Sequence, residues 1–183
     1  MIKINNKEES KNFIVRLGLN RVPEIFLEKH ETEKIKDFFN TYPAELYVLR
    51  DAEHSSGKYF YVTTAKECIE LAQNYSGRVI VAVSSNAYKN KLLLGAVEIG
   101  DRAVMLCATT DTKLDHRTMY GDLEFKLNCD IFDKRLSDVP EFDYLYQYIS
   151  SHGLKNYVVE FTVYDRPVGT NGERIVINEV RNY

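Results

Sequence analysis

Two glutamates in the C-terminal part of the sequence, Glu160 and Glu179, have the residue type and the spacing to take part in chemistry. Each lies within a mostly apolar run, residues 157–164 and residues 174–182, and the segment between the runs is rich in turn-forming residues. This pattern predicts a β-hairpin. If its register is centred on Gly169-Thr170, the glutamates lie directly opposite each other, because paired residues of antiparallel strands share a sheet face.

A tighter turn at Asn171-Gly172 would move Glu179 along its strand but would leave it on the same face as Glu160. In either register, two like charges meet on apolar strands that offer them little water, which is unfavourable unless a cation lies between them. A metal ion is one such cation. The alternative is a satisfied ion pair between Glu160 and Arg181 or Arg174.

The composition limits the class of protein. With 183 residues, 44% of them hydrophobic and 28% charged, the chain is long enough for one large domain or two close subdomains with a core. A net charge of −3 without a basic stripe argues against nucleic-acid binding. No apolar run approaches the roughly 18–20 residues of a membrane span, and the N-terminus is too polar for a signal peptide. We therefore expect a cytoplasmic protein with no membrane partner.

The three cysteines, Cys68, Cys107 and Cys129, are odd in number and widely spaced. This spacing fits neither a metal site nor a disulfide framework. We expect them to act as small core residues in a reducing compartment rather than as nucleophiles.

The periodicity of the apolar residues predicts an α+β protein. Helices are expected at 7–17, 32–39 (capped by Thr32), 65–75 (capped by Thr63 or Thr64) and 142–151. Strands are expected at 45–50, 59–62, 78–83, 92–99, 103–108 and in the two runs of the hairpin. Residues 111–140 are polar and are expected to be irregular. Among them, Asp111, Asp115 and His116 have the residue types of a metal or acid–base site, but their spacing fits no established ligand pattern and favours a solvated loop.

A loop between two predicted strands, Ser55-Ser56-Gly57-Lys58, has the composition of a phosphate-binding turn. Small residues allow backbone N–H groups to approach an anion, and Lys58 adds a positive charge. The loop does not match the P-loop pattern, since Ala52 stands where Gly is needed and Tyr59 follows the lysine. By itself it is more typical of a plain hairpin connection.

Several segments follow one another in a characteristic order. They are Ser10-Lys11, Leu17-Gly18-Leu19-Asn20-Arg21-Val22-Pro23-Glu24, Pro43-Ala44-Glu45-Leu46-Tyr47-Val48-Leu49-Arg50, Ser55-Ser56-Gly57-Lys58-Tyr59-Phe60-Tyr61-Val62, the helix at 65–75, Val79-Ile80-Val81-Ala82-Val83, Val159-Glu160-Phe161 and Ile177-Asn178-Glu179-Val180-Arg181-Asn182. In this order the chain resembles the core of the ATP-grasp family over nearly its whole length. The resemblance is one of pattern and order.

The resemblance implies an ATP-grasp-like α+β fold of two small subdomains with mainly antiparallel sheets that grip ATP. The subdomains would cover residues 41–84 and 90–183, after a helical segment at 1–40. The whole chain, 1–183, would form a single unit, and we expect a compact, divergent form without the domain that commonly precedes this core.

The resemblance also implies which residues bind the cofactors, ATP and Mg²⁺. The phosphate contacts would come from Lys11, Arg50, Ser55, Ser56, Gly57 and Lys58, and the metal ligands would be Glu160 and Glu179. Such ligands suit the task because magnesium neutralises and orients phosphate oxygens and accepts carboxylate oxygens. Without the family pattern, Lys11 and Arg50 are equally well explained as surface cations.

Arg181 would have the catalytic role of stabilising the transferring phosphoryl group. It stands where the family's Glu-x-Asn metal signature has Asn, since the residues here are Glu179-Val180-Arg181. Asn178 or Asn182 would therefore have to replace that ligand. The acid that usually lies near the ribose is also missing after the strand Val79–Val83.

The function implied is that of an Mg·ATP-binding protein and, if active, an ATP-dependent ligase that activates the carboxylate of a small-molecule substrate as an acylphosphate. The first alternative is a non-catalytic binding or interaction module with the same fold. The second is an unrelated α+β protein in which Glu160 and Glu179 are salt-bridged. A homo-oligomer is compatible with the sequence.

Overall fold

A computed structural model describes residues 2–53, 59–112 and 123–182. The chain divides into two compact units. Residues 22–89 form the first, called here the continuous unit, and residues up to 21 combine with residues from 90 onward to form the second, called the discontinuous unit. The segment 1–40, which the resemblance treats as one piece, is divided between these two units.

The described residues contain four α-helices and nine strands. The helices are α1 (Lys7–Arg16), α2 (Thr32–Thr41), α3 (Ala65–Ala72) and α4 (Phe142–Ser151), and the strands are β1 (Glu24–Leu27), β2 (Tyr47–Asp51), β3 (Tyr59–Val62), β4 (Val79–Val83), β5 (Lys91–Ile99), β6 (Ala103–Thr109), β7 (Phe125–Asp130), β8 (Val158–Val168) and β9 (Glu173–Arg181). Every strand pair is antiparallel, which confirms the predicted α+β class with mainly antiparallel sheets. Among the described residues, no helix has both the length and the apolar character needed to cross a membrane.

The continuous unit is a four-stranded sheet in the order β1-β4-β2-β3. Strand β4 is buried along its whole length, and β1 and β2 pair with its two edges. Val79, Val81 and Val83 point to the core that the sheet forms with α2 and α3, where they join Leu49 and Cys68. Alternate residues of β2 and β4 therefore point to the opposite face of this sheet.

Local signals explain where two of the helices begin. The side chain of Thr64 caps α3 by accepting a hydrogen bond of 3.2 Å from the Glu67 N–H, and Asn6 caps α1 in the same way. The prediction that Thr32 caps α2 was wrong, because Thr32 is already helical. The residue before it is Glu31, whose side chain makes no capping hydrogen bond.

The discontinuous unit is a five-stranded sheet in the order β7-β6-β5-β8-β9. Helices α1 and α4 contribute Phe13 and Leu145 to a core on one face, together with Val97, Phe161 and Ile177 from the strands. The other face is described below, because it carries the two glutamates.

Strand β7 corrects the prediction that residues 111–140 are irregular. Residues 125–130 pair with β6, from Ala103↔Asp130 to Ala108↔Phe125. Their burial alternates between half-buried and exposed, because apolar Phe125, Leu127 and Cys129 alternate with polar residues. Such alternation is typical of an edge strand that covers the sheet with one face only.

The expectation that cysteines serve as core residues is confirmed for Cys68 and Cys107, which are buried. Cys129 is half-buried on β7. All three thiols are free.

Helix α1 and the segment that follows it cover the outer edge of β9. The Val180 N–H donates a hydrogen bond of 2.8 Å to Ser10 Oγ, and the Ile177 N–H donates one of 2.8 Å to the Asn20 carbonyl. These bonds satisfy donors that an edge strand would otherwise expose. They also attach the N-terminal residues to the strand that carries Glu179.

Asn20 connects this segment to the hairpin loop through its fully buried side chain. Its amide nitrogen lies 3.0, 3.1 and 2.8 Å from the carbonyl oxygens of Val168, Glu173 and Ile175, and its oxygen accepts from the Asn171 N–H at 2.9 Å. One side chain therefore holds both ends of the loop and the start of β9 in place.

Gly169 is required where the loop approaches Asn20. Its φ is +76°, and a Cβ built on it would lie 2.6 Å from Asn20 Oδ1 and 2.8 Å from the Arg21 carbonyl oxygen. Both the backbone conformation and the space exclude a larger residue. The loop is also shorter than predicted, because β8 continues to Val168.

Candidate functional site

The predicted pairing of the two glutamates is confirmed: Glu160 on β8 lies directly opposite Glu179 on β9. The register expected from a turn at Gly169-Thr170 holds at this point, but the hairpin reaches it by two irregularities. Val168 pairs with Glu173 at the loop, and a bulge between Glu160 and Phe161 shifts the pairing again. Both carboxylates are half-buried.

Arg181 forms an ion pair with Glu160, through Nη2 and Oε1. It reaches this partner diagonally, because Arg181 itself is opposite Val158, two residues before Glu160 on the same face. The other arginine considered, Arg174, pairs instead with Glu141 at 2.9 Å. Of the two ion pairs that the sequence left open, the structure contains the one with Arg181.

The environment of this ion pair is partly closed to water. The Glu160 side chain is 16% exposed and the Arg181 side chain is 35% exposed. The Nε of Arg181 is buried and has no hydrogen-bond partner among the residues that the structure describes. The guanidinium therefore has donor capacity left for another acceptor.

Asn178 is the extra residue of the bulge, and its side chain lies with the carboxylates. Its Nδ2 is 3.2 Å from Oγ1 of Thr162, which shares a face of β8 with Glu160. Asn182 is used differently: its Oδ1 accepts from the Ile4 N–H at 2.9 Å and its Nδ2 donates to the Ile2 carbonyl at 3.0 Å. Of the two asparagines that the sequence left open, Asn178 is the one beside the glutamates.

Two lysines of the discontinuous unit lie near this strand pair. Lys11 is half-buried on α1, next to Ser10, which bonds the strand between Glu179 and Arg181. Lys91 at the start of β5 is only 9% exposed and is paired with Tyr164 on β8. Lys91 did not emerge from the sequence because it stands in a polar stretch before the predicted strand. A lysine this buried is unusual, because lysines are almost never fully buried unless they are paired.

Arg50 lies in the continuous unit, on β2, opposite Tyr59 and Ile80. Its Nη2 is 3.8 Å from Glu24 Oε2, a long ion pair, and its side chain is 35% exposed. Its Nε is buried without a hydrogen-bond partner among the described residues. Arg50 is thus a partly buried cation near Glu24 and not a fully exposed one.

The remaining predicted residues cannot be compared with the structure. Ser55, Ser56, Gly57 and Lys58 lie outside the described residues, as do Asp115 and His116. Asp111 is described: it is exposed, and its N–H donates to Thr109 Oγ1 at 3.0 Å.

The donor atoms beside Glu160 allow a test of whether Mg²⁺ fits. This ion prefers oxygen ligands and is usually held by one or two carboxylates together with phosphate and water. Glu160, Glu179 and the amide oxygen of Asn178 match that preference. Across residues 2–53, 59–112 and 123–182, no three His, Cys, Asp or Glu side chains are grouped so that they could hold a metal. Glu160, Glu179 and Asn178 therefore fit a magnesium ion whose remaining ligands come from phosphate and water.

No protein-family model matches the sequence, and a search of curated proteins finds no match. Solved structures do match the fold. D-alanyl-alanine synthetase A from Vibrio cholerae matches with a TM-score of 0.52 at 18% identity, over 97% of this chain and 55% of the other. The macrocyclase MdnC from Microcystis aeruginosa, bound with its precursor peptide MdnA, matches with a TM-score of 0.51 at 16% identity, over 95% and 51%.

A third match is N5-carboxyaminoimidazole synthase from Aspergillus clavatus, solved with ADP and 5-aminoimidazole ribonucleotide. Its TM-score is 0.54 at 11% identity, over 97% of this chain and 44% of the other. The chain spans about half the length of the structures that it matches. At these identities the likeness shows the fold alone.

Proposed function

From the ATP-grasp fold that this chain has, we propose that it binds ATP together with Mg²⁺ and acts as a ligase that activates a carboxylate as an acylphosphate. The single observation that supports the site is the direct pairing of Glu160 with Glu179 on one sheet face. Two carboxylates so placed can ligate a divalent cation, and Mg·ATP would supply one.

In this proposal the phosphates are bound by the cations of the chain. Lys11, Arg50 and Lys58 neutralise phosphate charge, and the backbone N–H groups of Ser55, Ser56 and Gly57 contact the phosphate oxygens. Lys91, buried on the same sheet as Glu160, is a further candidate for an anionic partner. Arg and Lys suit this task because their hydrogen bonds to phosphate are charge-assisted.

Glu160 and Glu179 would hold the metal, with Asn178 beside them. Magnesium, when bound, supplies charge neutralisation and orientation of the phosphate oxygens. Arg181 would donate to the equatorial oxygens of the γ-phosphoryl group as charge builds up there. Its buried Nε, which has no partner among the described residues, provides the free donor that this role needs.

The reaction proposed has two steps. A carboxylate oxygen of the substrate attacks the γ-phosphorus, the bond to the β-bridging oxygen breaks, and ADP leaves. A nucleophile such as an amine then attacks the acyl carbon, the bond from that carbon to the phosphate oxygen breaks, and inorganic phosphate leaves with that bonding pair. The chain's own contribution is to align the phosphates and to stabilise their charge.

One observation favours a second candidate, a non-catalytic module with the same fold. Glu160 is already paired with Arg181, so the carboxylates have a cation without any metal. Such a module would bind a partner or a nucleotide without phosphoryl transfer.

A thermal-shift titration tests the proposed function. A ligand that binds only the folded state at a hundredfold excess over its Kd stabilises that state by about 2.7 kcal/mol. We expect ATP with Mg²⁺ to raise the Tm by several degrees and ATP with a chelator to raise it less. The absence of any shift at millimolar Mg·ATP, in a sample that unfolds cooperatively, would rule the proposal out.

A further inference from the structure

Glu160 and Glu179 face each other, and Glu160 forms an ion pair with Arg181. The Nη2 of Arg181 contacts Oε1 of Glu160. The Arg181 side chain is 35% exposed and the Glu160 side chain is 16% exposed. The attraction between them is therefore less screened by water than in a fully exposed pair. The guanidinium thus occupies the position at which a metal ion would meet the same carboxylate.

A divalent ion and the guanidinium compete for this position. A metal that binds Oε1 of Glu160 must displace Arg181 from it, and it would then leave a guanidinium next to a positive ion. The protein alone offers few compensating ligands, because no three His, Cys, Asp or Glu side chains among the described residues are grouped so that they could hold a metal. Magnesium also gives up its water reluctantly.

The arginine itself is incompletely bonded in this arrangement. Its Nε is buried without a hydrogen-bond partner in the part of the chain that the structure describes. A buried donor without a partner is unfavourable, so an arriving anion that accepts from the guanidinium improves its bonding. Phosphate oxygens are strong acceptors for arginine.

We propose that Arg181 is the resident counter-ion of the Glu160–Glu179 pair and that it keeps divalent cations out of the site until a phosphate-bearing ligand draws the guanidinium away. The inference rests on the proposed nucleotide site and adds an order of binding to it. The metal enters with the nucleotide or after it, and never first. Arg181 is then a positioning residue in the empty protein as well as a phosphate ligand in the loaded one.

The test measures Mn²⁺, which stands in for Mg²⁺, on the full chain without nucleotide, by electron paramagnetic resonance of the free ion. The wild type should show no saturable binding to this site. Arg181→Asn removes the counter-ion and adds an oxygen donor, so it should bind Mn²⁺ tighter by roughly tenfold or more, the scale on which neighbouring groups change metal affinity. Arg181→Gln is measured in parallel, so that the result does not depend on one variant folding.

Three controls assign the effect to this position. Arg181→Lys keeps the positive charge and should remain without Mn²⁺. Arg16→Asn changes the net charge by the same amount at an exposed position of α1, where the side chain lies over Phe13, and should behave as the wild type. The double variant Arg181→Asn/Glu160→Gln should lose the gained site, because the carboxylate that held the ion is gone.

Saturable Mn²⁺ binding by the wild type without nucleotide, at the affinity of Arg181→Asn, would overturn the inference. So would folded Arg181→Asn and Arg181→Gln proteins that gain no Mn²⁺ site. With ATP present, the wild type should acquire the Mn²⁺ signal, and its failure to do so overturns the order of binding. The failure of the proposed function is separate, because it appears as the absence of a nucleotide shift whatever the metal data show.

Discussion

At the residue scale, Glu160 is the side chain on which the proposal depends most. It lies opposite Glu179, whose negative charge repels its own, and it forms an ion pair with the positively charged Arg181. The first neighbour requires a cation and the second provides one. Which of them dominates decides whether the site takes a metal.

Neutralising either glutamate should weaken nucleotide binding. We expect Glu160→Gln and Glu179→Gln each to raise the Kd for Mg·ATP at least tenfold, about 1.4 kcal/mol, because each removes a charged metal ligand. Calorimetric titration measures this. Glu98→Gln, half-buried on the same sheet face but outside the pair, is the matched control. Unchanged affinity in both variants would instead support the non-catalytic module.

Cys68 should be chemically inert in the folded protein. Burial raises the pKa of its thiol to about 12, so the reactive thiolate is nearly absent at pH 8 and grows only as the pH approaches that value. We expect iodoacetamide to modify the half-buried Cys129 first and Cys68 only after unfolding, as read by mass spectrometry of the peptides. Rapid native labelling of Cys68 would show that its helix opens readily.

At the scale of elements, the hairpin depends on groups far away in the sequence. Its own residues favour strands and a turn, but Asn20 holds the loop ends and α1 covers the outer edge of β9. The position of Glu179 therefore depends on the N-terminal residues as much as on the hairpin.

Asn20→Ala should destabilise the protein strongly. The change leaves several buried carbonyl groups and one N–H without their partner, which costs about 2–4 kcal/mol and lowers the Tm by roughly 5–15 °C. Denaturant unfolding followed by circular dichroism measures it. Asn74→Ala, at an exposed position after α3, should stay within about 0.5 kcal/mol of the wild type. Equal stabilities of the two variants would refute the role given to Asn20.

Two glycines of the hairpin loop allow the cost of backbone strain to be measured separately from the cost of a steric clash. Gly172 has a φ of +67° and open space around it, whereas Gly169 has a φ of +76° and lies against Asn20. Gly172→Ala should cost about 1–2 kcal/mol through the backbone alone. Gly169→Ala should cost clearly more, because the added methyl also collides with Asn20 and Arg21. The difference between their unfolding free energies is the quantity to measure, and a value near zero would contradict the crowding.

At the scale of the whole molecule, the two units differ in how their residues are distributed along the chain. The continuous unit is a single stretch with its own sheet, helices and core. The discontinuous unit needs residues from both ends of the chain. A unit with its own core is expected to fold by itself more readily than one assembled from distant segments.

The fragment 22–89 should accordingly fold alone. We expect a cooperative thermal transition by circular dichroism, although its small size makes it only marginally stable. Leu49→Ala, which removes a fully buried side chain from its core, should abolish the transition, since such changes cost about 2–5 kcal/mol. A fragment without any cooperative transition would show that the continuous unit is not independent.

The sequence by itself was sufficient for the helices, for most strands and for the face shared by Glu160 and Glu179. These features follow from local periodicity, capping residues and turn residues, which act within a few positions of the chain. Strand β7 was missed because its weak alternation, carried by Phe125, Leu127 and Cys129, becomes a strand only when β6 offers a partner.

Only the tertiary structure decided which partner each site residue has. Arg181 and not Arg174 reaches Glu160, Asn178 and not Asn182 lies beside the carboxylates, and Lys91 is buried on the same sheet. The hairpin has two irregularities, the bulge after Glu160 and the shift near the loop. Their energies depend on packing between segments that are distant along the chain. The pairing of the glutamates was therefore readable from the sequence, whereas the cation that balances them was not.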